Sequence, residues 1–305
     1  MSLPKLDTVT GALLIGTWLS SLFYTVEVIQ LARYFKRFKN DGWMLKLFVS
    51  LLFGIDTVSM VGNYIGVYLY TITHAYDSAY LLNQNWPIPL YLFATGLVAA
   101  SVQLFLIIRY WRLTRNLFTT PILFLLVLVA FGGAYWSGIT IAIFPAFADR
   151  AKVRIPAATW LISEAIADVC IAAALIWEFR KARTVFTDTK SILNRLVALT
   201  IQSGGAGAAI ALSSLIAFLC NNESNVPAGI AYCLGRVYIL TMLANLNLRQ
   251  SGRNGSSRAT PSLQKTHGAR STERGMESEG VEHYGGIHVH RTVHIEDFSQ
   301  VECAK

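Results

Sequence analysis

The chain has 305 residues, of which 53% are hydrophobic and only 14% charged. Soluble domains carry about a quarter charged residues, so this composition excludes an ordinary soluble fold and requires surface that faces lipid. The formal net charge of +8 is gathered in short segments between apolar blocks and in the last part of the chain. No nucleic-acid partner is expected.

The amino terminus resembles a signal peptide, since Lys5 precedes an apolar run from Gly11. That run is too long, lacks a small-residue cleavage pattern and ends in the basic stretch Arg33–Lys39, so it is expected to stay as a membrane anchor. Crossing roughly 30 Å of hydrocarbon takes about 20 apolar residues, because the bilayer interior offers no water to unpaired backbone groups. Seven blocks meet this length: Gly11–Tyr34, Met44–Ile72, Pro89–Arg109, Pro121–Phe144, Ala157–Phe179, Leu196–Leu219 and Pro227–Leu248. Turn chemistry separates them at Asn40-Asp41-Gly42, Asn83–Pro89, Pro145, Pro156 and Asn221–Pro227. The fold class expected is an all-α membrane protein, a seven-span helix bundle over residues 1–249. A polar, disordered tail follows over residues 250–305.

Lys and Arg collect in the segments after spans one, three and five, among them Arg33, Lys36, Arg37, Arg109, Arg112, Arg180 and Lys181. Cytoplasmic loops retain such residues, so the amino terminus is expected outside and the tail in the cytoplasm, most simply at the plasma membrane. Arg150, Lys152 and Arg154 run against that bias. Asn222-Glu223-Ser224 is a sequon at the outer edge, too close to the membrane for use, and Asn254-Gly255-Ser256 falls on the cytoplasmic side. Cys170, Cys220, Cys233 and Cys303 show no metal-ligand spacing. Cys170 and Cys233 read as small packing residues, and a Cys220–Cys233 disulfide is strained by about 9 Å of helix rise.

Seven spans invite comparison with rhodopsin-like receptors, but their diagnostic residues are mostly missing. Ile108 precedes Arg109-Tyr110 where an acidic residue belongs, span seven ends in Asn245-Leu246-Asn247-Leu248-Arg249, and it has no Lys for a retinal Schiff base. Six short pieces, in order, carry a different likeness: Gly16-Thr17-Trp18, Asp56-Thr57, Ala167-Asp168-Val169, Leu199-Thr200-Ile201-Gln202, Arg236-Val237-Tyr238 and Leu243-Ala244-Asn245-Leu246-Asn247. Through them the chain, from Gly11 to about Arg249, resembles a large family of fungal, mainly basidiomycete, seven-span proteins defined by a domain of unknown function. It departs from that family near Ser20, where an Asn is expected, and near Tyr238–Thr241, where a Tyr-Ser-Asn-Ser run is expected. The resemblance implies a membrane location and receptor-like topology; it supplies no ligand, reaction or partner.

Ionisable groups inside a membrane cost about 2.5–3.5 kcal/mol each on insertion scales, so each needs a reason. Asp56, Glu164, Asp168 and Arg236 are the candidates, either pairing to fix helix packing or forming a ligand, ion or proton site. Glu164 and Asp168 are four apart and share a helix face, where like charges repel unless a cation or proton joins them. At about 1.5 Å per residue, Asp56 lies roughly 18 Å from the inner end of span two. On the same count Arg236 lies 14 Å and Asp168 16 Å from the outer ends of their spans. Those depths put Asp56, Arg236 and Asp168 in one expected cluster. Glu27 is placed near the inner boundary, snorkelling. Asn63, Gln103, Gln202, Asn245 and Asn247 are expected to hydrogen-bond across helices, for about 0.6 kcal/mol each. Gly62-x-x-x-Gly66 and the small-residue run Ser203–Ala211 suit close packing inside the bundle. Trp18, Trp43, Trp86 and Trp160 suit interfacial anchoring, and His74 a surface position.

No nucleophile–base pair and no cofactor or metal motif stands out; IHVHRTVHI, with His288, His290 and His294, is too isolated to make a metal site. The chain is expected not to be an enzyme. Its basic tail segment Gln250–Arg274, rich in Ser and Thr, suits anionic inner-leaflet lipids and release by phosphorylation. The function expected is a receptor-like sensor with an unnamed cytoplasmic partner; a proton-coupled carrier using the intramembrane carboxylates is the alternative.

Overall fold

The computed structural model describes residues 10–185, 190–220 and 224–248. Expectations for the tail, including its lipid contact and its histidines, and for the sequons at Asn222 and Asn254, lie outside the described residues. The helices are α1 (Ala12–Arg37), α2 (Trp43–Tyr68, continued by a π turn Leu69–Thr73), α3 (Ser78–Leu81), α4 (Pro87–Thr114) and α5 (Thr119–Ile143). They are followed by α6 (Arg150–Val185, entered through a 3-10 turn Phe147–Asp149), α7 (Lys190–Cys220), α8 (Val226–Ala231) and α9 (Leu234–Leu248). Among the described residues, seven segments are long and apolar enough to cross a membrane, α8 and α9 together forming the seventh. The chain is a multi-pass membrane protein. Large apolar side chains such as Ile15, Leu22, Met44, Leu125, Trp177 and Ile216 stand exposed, as lipid-facing positions require.

Local chemistry accounts for several helix ends. Pro87 and Pro227 open α4 and α8, where the missing N–H costs nothing. Arg115 closes α4 in the left-handed region at φ 51°, its N–H bonded to Trp111 O at 2.8 Å. Pro156 was expected to break the chain but sits inside α6. The carbonyl it leaves without a partner belongs to Lys152, two residues from the helix start, where the lost bond is cheapest.

The helices close into a ring in the order α1, α2, α4, α5, α6, α7, with α8 and α9 completing it against α1. The α9 segment also reaches α2 and α4. Of the seventh span's most apolar window 72% is buried, against 28% for the first and second, so this helix is the central one. It approaches α1 backbone to backbone, since a Cβ on Gly16 or Gly229 would overlap the other helix's main chain. Gly62 and Gly66 also serve packing within the bundle: a Cβ there would lie 2.9 Å from Leu90 Cδ2 and 3.0 Å from Pro87 Cβ. Trp18, Trp43 and Trp86 are exposed, but Trp160 is buried in the core and anchors nothing at an interface. Cys170, Cys220 and Cys233 are free thiols.

Candidate functional site

Two buried polar groups lie on opposite faces of α9. The first is built around Arg236, in the first turn of that helix and 1% exposed. A cation there opposes the helix dipole and needs compensation. Its guanidinium makes an ion pair with Asp56, and donates from Nη1 to the Asp56 carbonyl and from Nε to Ser20 Oγ, both at 3.1 Å. Ser20 in turn donates to Tyr232 O at 3.2 Å, a carbonyl freed by the turn between α8 and α9. Gly235 makes room for the carboxylate, because a Cβ there would stand 3.0 Å from Asp56 Oδ1.

Glu27 belongs to this group. It is wholly buried, not snorkelling, and its carboxyl comes within hydrogen-bonding reach of Asp56. Yet Glu27 Oε1 and Oε2 and Asp56 Oδ2 receive no hydrogen bond from any donor. Both statements hold together, because two carboxylates can only accept; a proton on one of them would make the bond. The depth expected for Glu27 was wrong because α1 runs on to Arg37, which leaves Glu27 about 15 Å from that end, near mid-membrane.

Asp168 is not part of the Arg236 cluster. It forms the second group with Glu164, Gln103 and Tyr238, all buried. Gln103 Nε2 donates to Glu164 Oε1 at 3.0 Å and to Asp168 Oδ1 at 2.9 Å. The Tyr238 hydroxyl lies 2.6 Å from Glu164 Oε1 and 2.7 Å from Asp168 Oδ2. Both contacts are of hydrogen-bond length, but a hydroxyl has one hydrogen. The second contact therefore needs a proton on one carboxyl, donated to the tyrosine oxygen. No cation meets either carboxylate among the described residues; the ion pairs found there are Arg236–Asp56, Lys152–Asp149 and His74–Asp77. Gly207 of α7 closes the group, since a Cβ on it would overlap the Asp168 carboxylate.

Further along α9 the same two faces continue. Arg109 Nη1 donates to Asn245 Oδ1 at 2.7 Å, and its guanidinium lies 5.4 Å from the Phe179 ring centre. On the other face Asn247 Nδ2 donates to Gln30 O at 3.1 Å and to Gln30 Oε1 at 2.9 Å. Each bond borders a cleft. One of about 550 Å³ lies along α2, α4 and α9, lined by Arg109, Arg112 and Asn245 among apolar residues. One of about 410 Å³ lies along α1, α7 and α9, lined by Arg33, Arg37 and Asn247. Gln202 is exposed in the wall of this second cleft and bridges no helices in the bundle core. Asn63 is buried, but neither its Nδ2 nor its Oδ1 finds a hydrogen-bond partner.

At the opposite end, Arg150 is buried, not a free loop charge. Its guanidinium lies between the Phe147 and Phe218 rings, 5.4 and 5.0 Å from their centres, and donates to Ser224 O at 2.8 Å. A small pocket of about 60 Å³ adjoins it, bounded by Tyr91, Ser137, Trp160 and Ser214. His74 stacks on Tyr80 at 3.9 Å. Among the described residues no three His, Cys, Asp or Glu side chains converge on a metal position.

Sequence reasoning missed Glu27, Ser20 and the role of Tyr238. A signal for the first two exists: Thr17, Ser20, Tyr24 and Glu27 recur at spacings of three and four, a polar stripe along one face of α1. Tyr238 carried none, because a tyrosine in a span reads equally well as packing.

No curated protein and no solved structure matches the chain. Residues 164–251, the part that supplies Glu164, Asp168, Arg236, Tyr238, Asn245 and Asn247, are similar to a family of unknown function, DUF6534.

Proposed function

We propose that the protein is a non-enzymatic, receptor-like sensor in which α9 moves between its two polar faces and relays the change to a cytoplasmic partner at the Arg109 end. The observation that supports this reading is the double engagement of one helix. The α9 segment is bonded on one face to α1 and α2 through Arg236, and on the other to α4 and α6 through Tyr238 and Asn245. A rotation or slide of α9 must break charge-assisted bonds on both faces at once, which is how a packed core becomes bistable. In this reading the protein sits in the plasma membrane with its amino terminus outside, as the Lys and Arg bias implies. The tail's basic half, Gln250–Arg274, would rest on anionic lipids of the cytoplasmic leaflet; a peptide of that segment binding neutral and anionic vesicles equally would remove this part.

The alternative, a proton-coupled carrier, is favoured by one observation, the carboxyl pair of Glu164 and Asp168 that needs a proton to complete its bonds. Against it stand an odd number of spans among the described residues and a sequence in which no inverted repeat is visible. Two measurements on the full chain separate the readings. Proximity labelling in cells is expected to mark cytoplasmic proteins in a pattern that changes with Tyr238→Phe. Vesicles containing the protein and a pH dye are expected to pass protons no faster than empty ones. Proton flux that disappears in Asp168→Asn would replace the sensor with the carrier.

A further inference from the structure

The cleft along α2, α4 and α9 has the profile of an amphiphile. From Ser101, at one end of it, to Arg112, at the other, α4 rises about 16 Å. Leu104, Phe105, Ile108 and Leu246 line its apolar stretch, while Arg109 and Arg112 stand one helical turn apart at the second end, and no carboxylate lines the cleft. Arg109 is held in place by Asn245 Oδ1 on one side and the Phe179 ring on the other. A guanidinium fixed in this way loses little freedom on meeting a phosphate, and its planar fork matches two phosphate oxygens. Arg112 is exposed and adds a second cation at the same end.

We propose that this cleft binds one anionic phospholipid, with its phosphate between Arg109 and Arg112 and one acyl chain laid along Leu104 and Ile108. The Lys and Arg bias that gives the expected orientation also assigns this end to the leaflet richer in anionic lipid. The site is independent of the sensor reading, since it needs no movement of α9. Each cation near a phosphate contributes about five-fold to binding at a lipid surface.

The test is native mass spectrometry of the full-length protein in detergent, supplied with equal amounts of phosphatidylserine and phosphatidylcholine. Wild type is expected to keep one phosphatidylserine in preference to phosphatidylcholine. Arg112→Gln, at an exposed position, should weaken that retention about five-fold. Ile108→Trp, half-exposed in wild type at 50%, should abolish it by filling the cleft with both arginines kept. Arg37→Gln, in the neighbouring cleft, should leave it intact. Equal retention of the two lipids, or loss in Arg37→Gln but not in Arg112→Gln, overturns the proposal. Full displacement by inorganic phosphate with no effect of Ile108→Trp would show a bare anion site and overturn it as well.

Discussion

Arg236 and Tyr238 are two residues apart on α9 and serve opposite groups: Arg236 meets Asp56, and Tyr238 meets Glu164 and Asp168. Two residues turn an α-helix by about 200°, so an Arg-x-Tyr step places a cation and a hydroxyl on opposite faces. Asn245 and Asn247 repeat the same step near the other end, facing Arg109 and Gln30.

The ion pair predicts non-additive losses. Arg236→Gln strands Asp56 and Glu27 without a cation and should cost about 3–5 kcal/mol, seen as reduced surface expression and a lower melting temperature in detergent. Combining it with Asp56→Asn should recover part of that loss, with a coupling energy of about 0.5–3 kcal/mol. Strictly additive single and double variants would mean that the pair contributes nothing specific. Asp168→Asn combined with Arg236→Gln should be close to additive, because the two residues share no partner.

The proton in the second group should be visible. Infrared difference spectra of the purified protein are expected to contain a protonated-carboxyl stretching band that disappears in Asp168→Asn or in Glu164→Gln. Tyr238→Phe removes the shared hydroxyl and should destabilise the fold by about 1–3 kcal/mol, since buried oxygens lose a partner. Gly207→Ala should shift the band with a smaller loss of stability, because its Cβ meets the Asp168 carboxylate and not a backbone. A spectrum without such a band in wild type would mean that both carboxylates are ionised.

The approach of α1 to α8 leaves no room for a methyl group. Gly16→Ala and Gly229→Ala are each expected to lower thermal stability by about 1–3 kcal/mol or more, because the added Cβ meets backbone on the facing helix. Gly132→Ala, where a Cβ meets nothing within 4 Å, is the matched control and should be neutral or slightly stabilising. Equal effects at all three positions would show that the helices separate more easily than their packing implies.

Orientation follows from charge and has its own check. In a cysteine-free background, Tyr76→Cys is expected to react with an impermeant maleimide on intact cells, and Asn40→Cys only after permeabilisation. Both positions are exposed, in the segments that follow α2 and α1. The reverse pattern would invert the protein and move the proposed lipid site to the outer leaflet.

What the sequence determined by itself is one-dimensional. Apolar length alone yields seven spans, because a bilayer core of fixed thickness without water demands about 20 such residues in each. Counting rise per residue likewise brings Asp56 and Arg236 to a common depth. Depth says nothing of azimuth, however. Asp168 has the right depth to meet Arg236 and faces another way, toward Gln103 and Tyr238. Glu27 was displaced along the axis because the ends of apolar runs are not the ends of helices. Which carboxylate meets which donor depends on how each helix is rotated about its own axis and which helices are neighbours. Contacts between residues as distant in sequence as Ser20 and Arg236 decide both, and only the packed bundle brings these together.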